Sequence, residues 1–270
     1  MLYTSPTFVP YNYPQKEADV LFVGIPFSST STSLPSSYGP TVVREALKLT
    51  ESRLGRIKIS DIGDLEAVPG SFELTAQRIK DTIEEVALEL EPGRPFPFLV
   101  AVGGNHSITL PLCEALKPKT IVVLDAHADC RHDYLGNPHT HQTWAWHASK
   151  FANVVNVGLN APSAEEEAEL AANKNLVSLS PEAFLEIGPN LEQPIHLSVD
   201  IDVFDPAYVV TGLPEGRLKP EQVWPMLERL APHIASMDIV EIAEMQLAGK
   251  TAFLAARIIK TVLERKFLRF

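Results

Sequence analysis

Residues 120–141 read TIVVLDAHADCRHDYLGNPHTH, an apolar, β-branched run that turns abruptly polar. The apolar run at residues 121–124 predicts a strand buried on both faces. Asp125, His127 and Asp129 follow it at alternating positions, and side chains two residues apart in an extended chain point the same way. If the extended geometry persists or bends there, the three side chains can converge on one point. This clustering favours a metal site over an ordinary strand end with solvated carboxylates.

The length of the chain, 270 residues, allows either one large α/β domain or two small ones, with room for a sizeable core. Its formal charge is −11, from 23 basic and 34 acidic residues, which argues against nucleic acid or an anionic membrane as a partner. The same charge is compatible with a cationic substrate.

The cysteines and the N-terminus both favour a cytoplasmic location. Cys113 and Cys130 form neither a disulfide framework nor a C-x-x-C motif, so a reducing compartment is expected. Residues 1–10 have neither the basic nor the apolar region of a signal peptide. The apolar-leaning run at residues 95–113 is broken by proline and glycine, so it predicts a buried strand and turn rather than a membrane span.

Strand-like and helix-like stretches alternate along the chain, without a domain linker or a repeat. Strands are predicted at residues 19–25, 56–60, 96–102, 121–124, 153–158, 176–179, 194–201 and 235–242, and helices at 40–49, 71–91, 164–172, 220–230 and 250–265. The Ser- and Thr-rich residues 28–37 lie between a strand and a helix, which favours a βα loop over a linker. Alternation predicts a largely parallel sheet covered by helices, although periodicity alone does not exclude a barrel.

Further polar side chains stand at the ends of three other predicted strands. His106 follows the turn residues Gly103 and Gly104, Asp200 and Asp202 alternate within HLSVDIDVFDP, and Glu241 ends the last strand. Sites in parallel α/β sheets lie at the carboxyl ends of strands. Aspartates flanked by apolar residues would be costly to bury without a counter-charge, which a cation would supply. Asp205 precedes a proline and is predicted to be a turn residue.

The candidate ligands are four carboxylates and two imidazoles, a number suited to two divalent ions that share bridging aspartates: His106, Asp125, His127, Asp129, Asp200 and Asp202. Such ligands without a thiolate favour Mn²⁺, with Ni²⁺, Co²⁺ and Fe²⁺ as alternatives. Two ions ~3.5–4 Å apart lower the pKa of a shared water and supply hydroxide near neutral pH. The sequence therefore predicts metal-assisted hydrolysis.

Three motifs resemble the signatures of the ureohydrolase family, which includes arginase, agmatinase, guanidinobutyrase and formiminoglutamase. They are GGNHS at residues 103–107, DAHAD at 125–129 and SVDIDVFDP at 198–206. The resemblance covers nearly the whole chain. It implies a single three-layer α/β/α domain over residues 1–270 with an eight-stranded, mainly parallel sheet. It also implies a homo-oligomer, either a trimer or a hexamer, that acts on a small guanidino substrate.

The resemblance further implies a role for each candidate residue. Two sets would hold the metals: His106, Asp125, Asp129 and Asp200 for the first, and His127, Asp125, Asp200 and Asp202 for the second. Asp129 would also orient the attacking hydroxide and pass its proton to the leaving amine. His141, with His139 as the alternative, would shuttle protons, whereas His132 and His147 are expected to be solvated. Glu241 would pair with the guanidinium group, a bidentate match.

Within the family, residues 129–143 look most like compact prokaryotic agmatinases, so cleavage of agmatine to putrescine and urea is expected. Arg131 stands where arginases favour asparagine. An arginine there suits a substrate carboxylate, so guanidinobutyrase and formiminoglutamase activities remain alternatives beside arginase, and Arg131 could instead form a structural salt bridge. A non-catalytic metal-binding homologue is a further alternative, as is a metal-dependent deacetylase of related fold.

Several positions depart from the family pattern. Asn105 replaces an acidic residue before His106, and Gln142 replaces a glycine or alanine after the shuttle histidine. Residues 28–38 lack the family's R-x-G-x-R pattern, and residues 205–218 form a shorter segment than usual. Because every metal ligand is retained, hydrolysis is expected, while the altered loops leave the substrate open.

Overall fold

One sheet runs through the protein, whose computed structural model describes residues 3–5, 9, 12–28, 36–50, 53–160 and 162–268. Its nine strands in that part of the chain are β1 (Thr4–Ser5), β2 (Val20–Ile25), β3 (Ile59–Leu65), β4 (Phe98–Gly103), β5 (Thr120–Leu124), β6 (Asn153–Val157), β7 (Leu176–Leu179), β8 (Ile195–Asp200) and β9 (Ile234–Val240). Their order is β1-β3-β2-β4-β9-β8-β5-β6-β7. Only the two-residue β1 pairs antiparallel, with β3, so the predicted eight-stranded, mainly parallel sheet is confirmed.

Helices cover both faces of the sheet. They are α1 (Gly39–Leu49), α2 (Phe72–Glu89), α3 (Thr109–Leu116), α4 (Trp144–Ala148), α5 (Ala164–Ala172), α6 (Pro181–Ile187), α7 (Pro220–Leu230) and α8 (Lys250–Phe267). Apolar residues of α1, α7 and α8 pack on one face of the sheet, and those of α2, α3 and α4 pack on the other. The continuous apolar strands are buried on both faces for this reason. Every described helix is too short or too polar to span a lipid bilayer.

Most predicted elements are confirmed to within two residues at each end. The strand predicted at residues 56–60 was wrong in its bounds, because a turn occupies Leu54–Arg56 and the strand runs over Ile59–Leu65. The strand carries Asp61 and Asp64, which bond to the buried Arg44, so the sequence there looks like a loop. Helices α3, α4 and α6 were not predicted, since all are eight residues or shorter. In the predicted loop at residues 28–37, residues 29–35 lie outside the described part.

The register of the central strands determines where the polar side chains meet. Strands β4, β9, β8 and β5 are consecutive neighbours, and all pair in parallel. Asp200 lies opposite Val240, and Leu124 lies opposite Val199. Consequently Asp125, Asp200 and Glu241, each at or just past the end of its strand, leave the sheet side by side.

A buried ion network connects α1 to β3. Arg44 is 1% exposed, and its Nε and Nη2 donate to the two carboxylate oxygens of Asp61 at 2.7 and 2.9 Å. Its Nη1 donates to Asp64, and Gly63 O also accepts from Nη2. The planar guanidinium therefore satisfies acceptors that a lysine ammonium, as a single point charge, could not reach together.

We expect Arg44→Lys to lower the free energy of unfolding by about 2 kcal/mol, since it leaves a buried carboxylate oxygen without its charged donor. Urea-induced unfolding followed by circular dichroism measures this change. Lys48→Ala on the same helix is the control, because Lys48 pairs with Glu45 at the surface and such pairs contribute at most about 1 kcal/mol. Equal free energies of unfolding for Arg44→Lys and wild type would contradict a structural role for the paired bonds from the Arg44 guanidinium to Asp61.

Candidate metal centre

A tight turn after β4 presents His106 to the site. A Cβ at Gly104 would lie 2.0 Å from the carbonyl oxygen of Phe27, so only glycine fits this close approach. Asn105 Oδ1 then accepts bonds from Ser107 N and Oγ, at 3.3 and 2.6 Å, and stabilises the turn. Asn105 thus acts here as a neutral capping residue. The fixed turn points His106 Nδ1 at the aspartates at the ends of β5 and β8.

Three aspartates surround the His106 ring. Its Nδ1 lies 3.1 Å from Asp125 Oδ2, 3.1 Å from Asp129 Oδ2 and 3.3 Å from Asp200 Oδ2. The extended geometry considered for residues 125–129 does not persist, because Asp129 has a φ of 50°. The bend brings Asp129 back toward His106, and Trp144 Nε1 holds its Oδ2 with a bond of 3.1 Å. Sequence reasoning did not find Trp144, which belongs to an unpredicted helix.

The second histidine has its own pair of aspartates. His127 Nδ1 lies 2.8 Å from Asp202 Oδ2 and 3.6 Å from Asp125 Oδ1. Asp202 follows β8 in the turn Ile201–Val203, where its backbone N–H donates to Asp200 Oδ1 at 2.8 Å. Ligand atoms fall into two groups, each within 4.8 Å: His106, Asp125 and Asp200, and Asp125, His127 and Asp202. Two adjacent sites therefore share Asp125.

The charges of this cluster need cations to balance them. Burial and the charges of the other carboxylates raise the pKa of Asp200 and Asp202, and raise that of Asp129 to about 7. Among the described residues, the buried atoms His106 Nδ1 and Asp125 Oδ2 have no hydrogen-bond partner. Carboxylate oxygens and imidazole nitrogens are suitable ligands for divalent transition-metal ions. The donor set thus fits two such ions.

The four histidines that follow residues 125–129 in sequence lie in different surroundings. His141 lines the cavity, and burial together with the positive charges of His106 and His127 lowers its pKa to about 4. His139 instead stacks on Phe72, with ring centroids 5.1 Å apart. His132 is exposed, and its Nε2 lies 2.9 Å from Glu169 Oε2. His147 is half-buried, and its Nε2 bonds to Pro138 O. His147 is thus less solvated than expected.

Glu241 stands just past β9 in a strained conformation. Its φ is 60°, its N–H donates to Gly104 O at 2.8 Å, and its Oε1 accepts from His106 N at 2.8 Å. A non-glycine residue in this region costs energy and persists where its surroundings determine it, often at functional sites. Burial raises the pKa of its carboxyl to about 8. The side chain lies at the cavity wall beside the ligand cluster.

The cavity has a volume of about 290 Å³ and extends outward from the cluster. Its outer wall is formed by Arg131, Tyr134, Gln142, Ser163, Glu166, Thr211, Gly212, Leu213 and Glu215. Arg131 lies over the Tyr134 ring, and its Nε is 4.0 Å from Glu166 Oε1, as a structural salt bridge would require. It nevertheless faces the cavity. Gln142 Oε1 is buried there without a hydrogen-bond partner in the described chain.

A buried polar chain behind His106 was missed from the sequence. His106 Nε2 lies 2.9 Å from Ser198 Oγ, which donates to Asp238 Oδ1 at 2.6 Å. Asp238 Oδ2 lies 2.9 Å from His196 Nε2. The available signal was an aspartate and a histidine within otherwise apolar strands. Hydrogen bonds to the far nitrogen of a metal-binding histidine orient its ring.

Comparison with known proteins found similar sequences and a similar fold. A family model described as the arginase family matches residues 18–264. The chain is 34% identical to the N(1)-aminopropylagmatine ureohydrolase of Thermococcus kodakarensis, over 96% of this chain and 95% of that protein. It is 32% identical to the agmatinase of Pyrococcus horikoshii, over 90% of each. The solved agmatine ureohydrolase of Thermoplasma volcanium superposes with a TM-score of 0.83 at 26% identity, over 95% of this chain and 92% of that one.

Proposed function

This chain belongs to the arginase family of hydrolases, and we propose that it cleaves agmatine to putrescine and urea. One observation carries the proposal: four buried aspartates and two histidines from the ends of β4, β5 and β8, at one edge of the sheet, converge beside one cavity. The relatives named agmatinase and agmatine ureohydrolase support this substrate.

The ligand sets would be those that the family resemblance implies. His106, Asp125, Asp129 and Asp200 would hold one divalent ion, and His127, Asp125, Asp200 and Asp202 the other. Bound there, two ions would supply a hydroxide nucleophile near neutral pH. We propose Mn²⁺ because hard carboxylate oxygens outnumber the imidazoles, with Ni²⁺, Co²⁺ or Fe²⁺ as alternatives.

The remaining side chains would bind the substrate and move protons. Glu241 offers two oxygens in the plane that a guanidinium group requires, next to the ligand cluster. Asp129 would orient the attacking water and pass its proton to the nitrogen that leaves with the amine. His141 lies on the cavity wall, where its imidazole can exchange protons between the amine and solvent.

We also propose a setting for the enzyme. The free, buried Cys113 and Cys130 suit a reducing cytoplasm. The family resemblance supports a homo-oligomer, a trimer or a hexamer. Putrescine as a product would assign the reaction to polyamine biosynthesis.

A longer cationic substrate, N(1)-aminopropylagmatine, is the second candidate. The relative that shares 34% identity is named for this compound. The outer cavity wall carries the carboxylates of Glu166 and Glu215, which are not proposed metal ligands, beside the guanidinium of Arg131, so acidic groups outnumber basic ones there. Such a wall suits a substrate with more than one ammonium group beyond its guanidinium.

Urea release from a panel of guanidino compounds tests the proposed function. We expect the Mn²⁺-loaded protein to act on agmatine or aminopropylagmatine at least ~100-fold faster, in kcat/KM, than on arginine or guanidinobutyrate, whose carboxylates meet the acidic wall. Removal of the metal with EDTA should abolish release, and Mn²⁺ should restore it. Turnover of guanidinobutyrate alone would show instead that Arg131 binds a carboxylate. If the protein binds two metal ions but releases urea from none of these compounds, the proposal is contradicted.

A further inference from the structure

The two site histidines are supported in different ways. The far nitrogen of His106 is buried against Ser198. That of His127, Nε2, lies 3.2 Å from Glu215 Oε2 at the cavity wall, where the Glu215 side chain is 51% exposed. The second histidine therefore has a carboxylate partner at the surface, outside the sheet, on the segment between β8 and α7.

The backbone around Glu215 is fixed despite this exposure. A Cβ at Gly216 would lie 1.9 Å from Asp202 O, so this glycine lets the segment lie directly on the backbone of a proposed ligand. Leu218 N donates to Val203 O at 3.1 Å, and Asp205 N donates to Leu218 O at 2.9 Å. The segment is thus bonded to the turn that carries Asp202, immediately after Glu215.

A second anchor connects Glu215 to the segment that carries His127. Asn160 Nδ2 donates to Glu215 O at 2.7 Å, and Asn160 N donates to Ala126 O at 2.9 Å. Asn156 Nδ2 also donates to His127 O at 2.6 Å. Asn160 therefore bridges the backbones on both sides of the His127–Glu215 pair, and it fixes the separation of the two backbones from which these side chains extend.

We propose that Glu215 is a positioning residue that orients His127 for the site it forms with Asp125 and Asp202, and so retains the metal there. An N–H on His127 Nε2 donated to Glu215 leaves the Nδ1 lone pair facing the two aspartates. The proposal rests on the proposed metal ligands. It goes further in assigning metal retention at one of the two sites to the cavity-wall segment at residues 211–218.

Metal content tests this proposal without any substrate. We expect Glu215→Ala, dialysed against graded chelator, to lose one of two Mn²⁺ ions at roughly 10–100-fold lower chelator concentration than wild type. The second ion should be held as in wild type, and electron paramagnetic resonance should change from a coupled to a mononuclear Mn²⁺ signal. Glu215→Gln should be intermediate, since its amide oxygen still accepts from Nε2. Asn160→Ala should shift retention in the same direction by a smaller factor.

Glu166→Gln is the matched control, because Glu166 lies on the same wall and its carboxylate bonds to Ser163 rather than to a histidine. It should retain both metals as wild type does. Unchanged metal retention in Glu215→Ala with a raised KM would overturn the proposal and assign Glu215 to the substrate tail. Equal loss of both ions would also overturn it. Metal retention is measured without substrate, so its result does not depend on the proposed function. A protein that hydrolyses no guanidino compound can still confirm or overturn the role of Glu215.

Discussion

Asp202→Asn should reduce urea release by at least about 10³-fold, because loss of one ion removes several kcal/mol of transition-state stabilisation. The carboxylate lies 2.8 Å from His127 Nδ1, and its other oxygen accepts from Ala126 N at 3.3 Å. Asparagine keeps the shape and can keep the bond to Ala126 but lacks the charge. We therefore expect a folded protein that binds fewer than two metal ions, as measured by elemental analysis.

Asp205→Asn is the matched control for this variant. Asp205 lies three residues further along the same motif, and its Oδ1 accepts from Ala207 N at 2.8 Å in a half-buried turn. It should retain two metals and wild-type activity. An Asp202→Asn protein that is both metal-replete and fully active would disprove the assignment of Asp202 as a ligand.

The cluster of proposed metal ligands could be predicted because acidic residues interrupt strands that are otherwise apolar. Asp125, Asp200 and Glu241 each end an apolar strand, and parallel strands bring their carboxyl ends to one edge. The sequence alone does not contain the strand order, yet β4, β9, β8 and β5 are neighbours. Any order that placed them near one another would have produced a similar cluster.

The supporting contacts could not be predicted from periodicity. The bend at Asp129 depends on a positive φ, which aspartate adopts only occasionally, and on a bond from Trp144. The chain of Ser198, Asp238 and His196 depends on the register between β8 and β9. Such contacts join residues distant in sequence, so no local pattern encodes them.

The outer half of the cavity was the least predictable part. Arg131 could bind a carboxylate or form a salt bridge, and the structure gives it a partner in Glu166 that the sequence did not indicate. Glu215 lies within residues 205–218, for which the sequence indicated only that the segment is shorter than usual in the family. Loops vary because they carry specificity on a rigid scaffold, so their contacts depend on the particular backbone path.

Glu241→Gln should lower kcat/KM for the guanidino substrate by about 10²–10³-fold, since removing one partner of a buried charge pair costs roughly 2–5 kcal/mol. Glutamine keeps the oxygen that accepts from His106 N, so the turn at His106 and the metal content should stay as in wild type. The substitution removes the second acceptor for a planar guanidinium, together with the negative charge that the carboxyl carries once it pairs with that cation. Steady-state kinetics with the metal-replete variant measures this effect.

Glu244→Gln separates this effect from a general loss of stability. Glu244 is buried three residues further along, and its Oε2 accepts from Thr251 N and Ala252 N at the start of α8. Its substitution should lower the free energy of unfolding by about 1 kcal/mol while leaving kcat/KM near the wild-type value. If Glu241→Gln instead loses metal in proportion to activity, the carboxylate of Glu241 supports the metal site rather than a pair with the guanidinium. Unchanged kcat/KM would show that catalysis requires neither role of the Glu241 carboxylate.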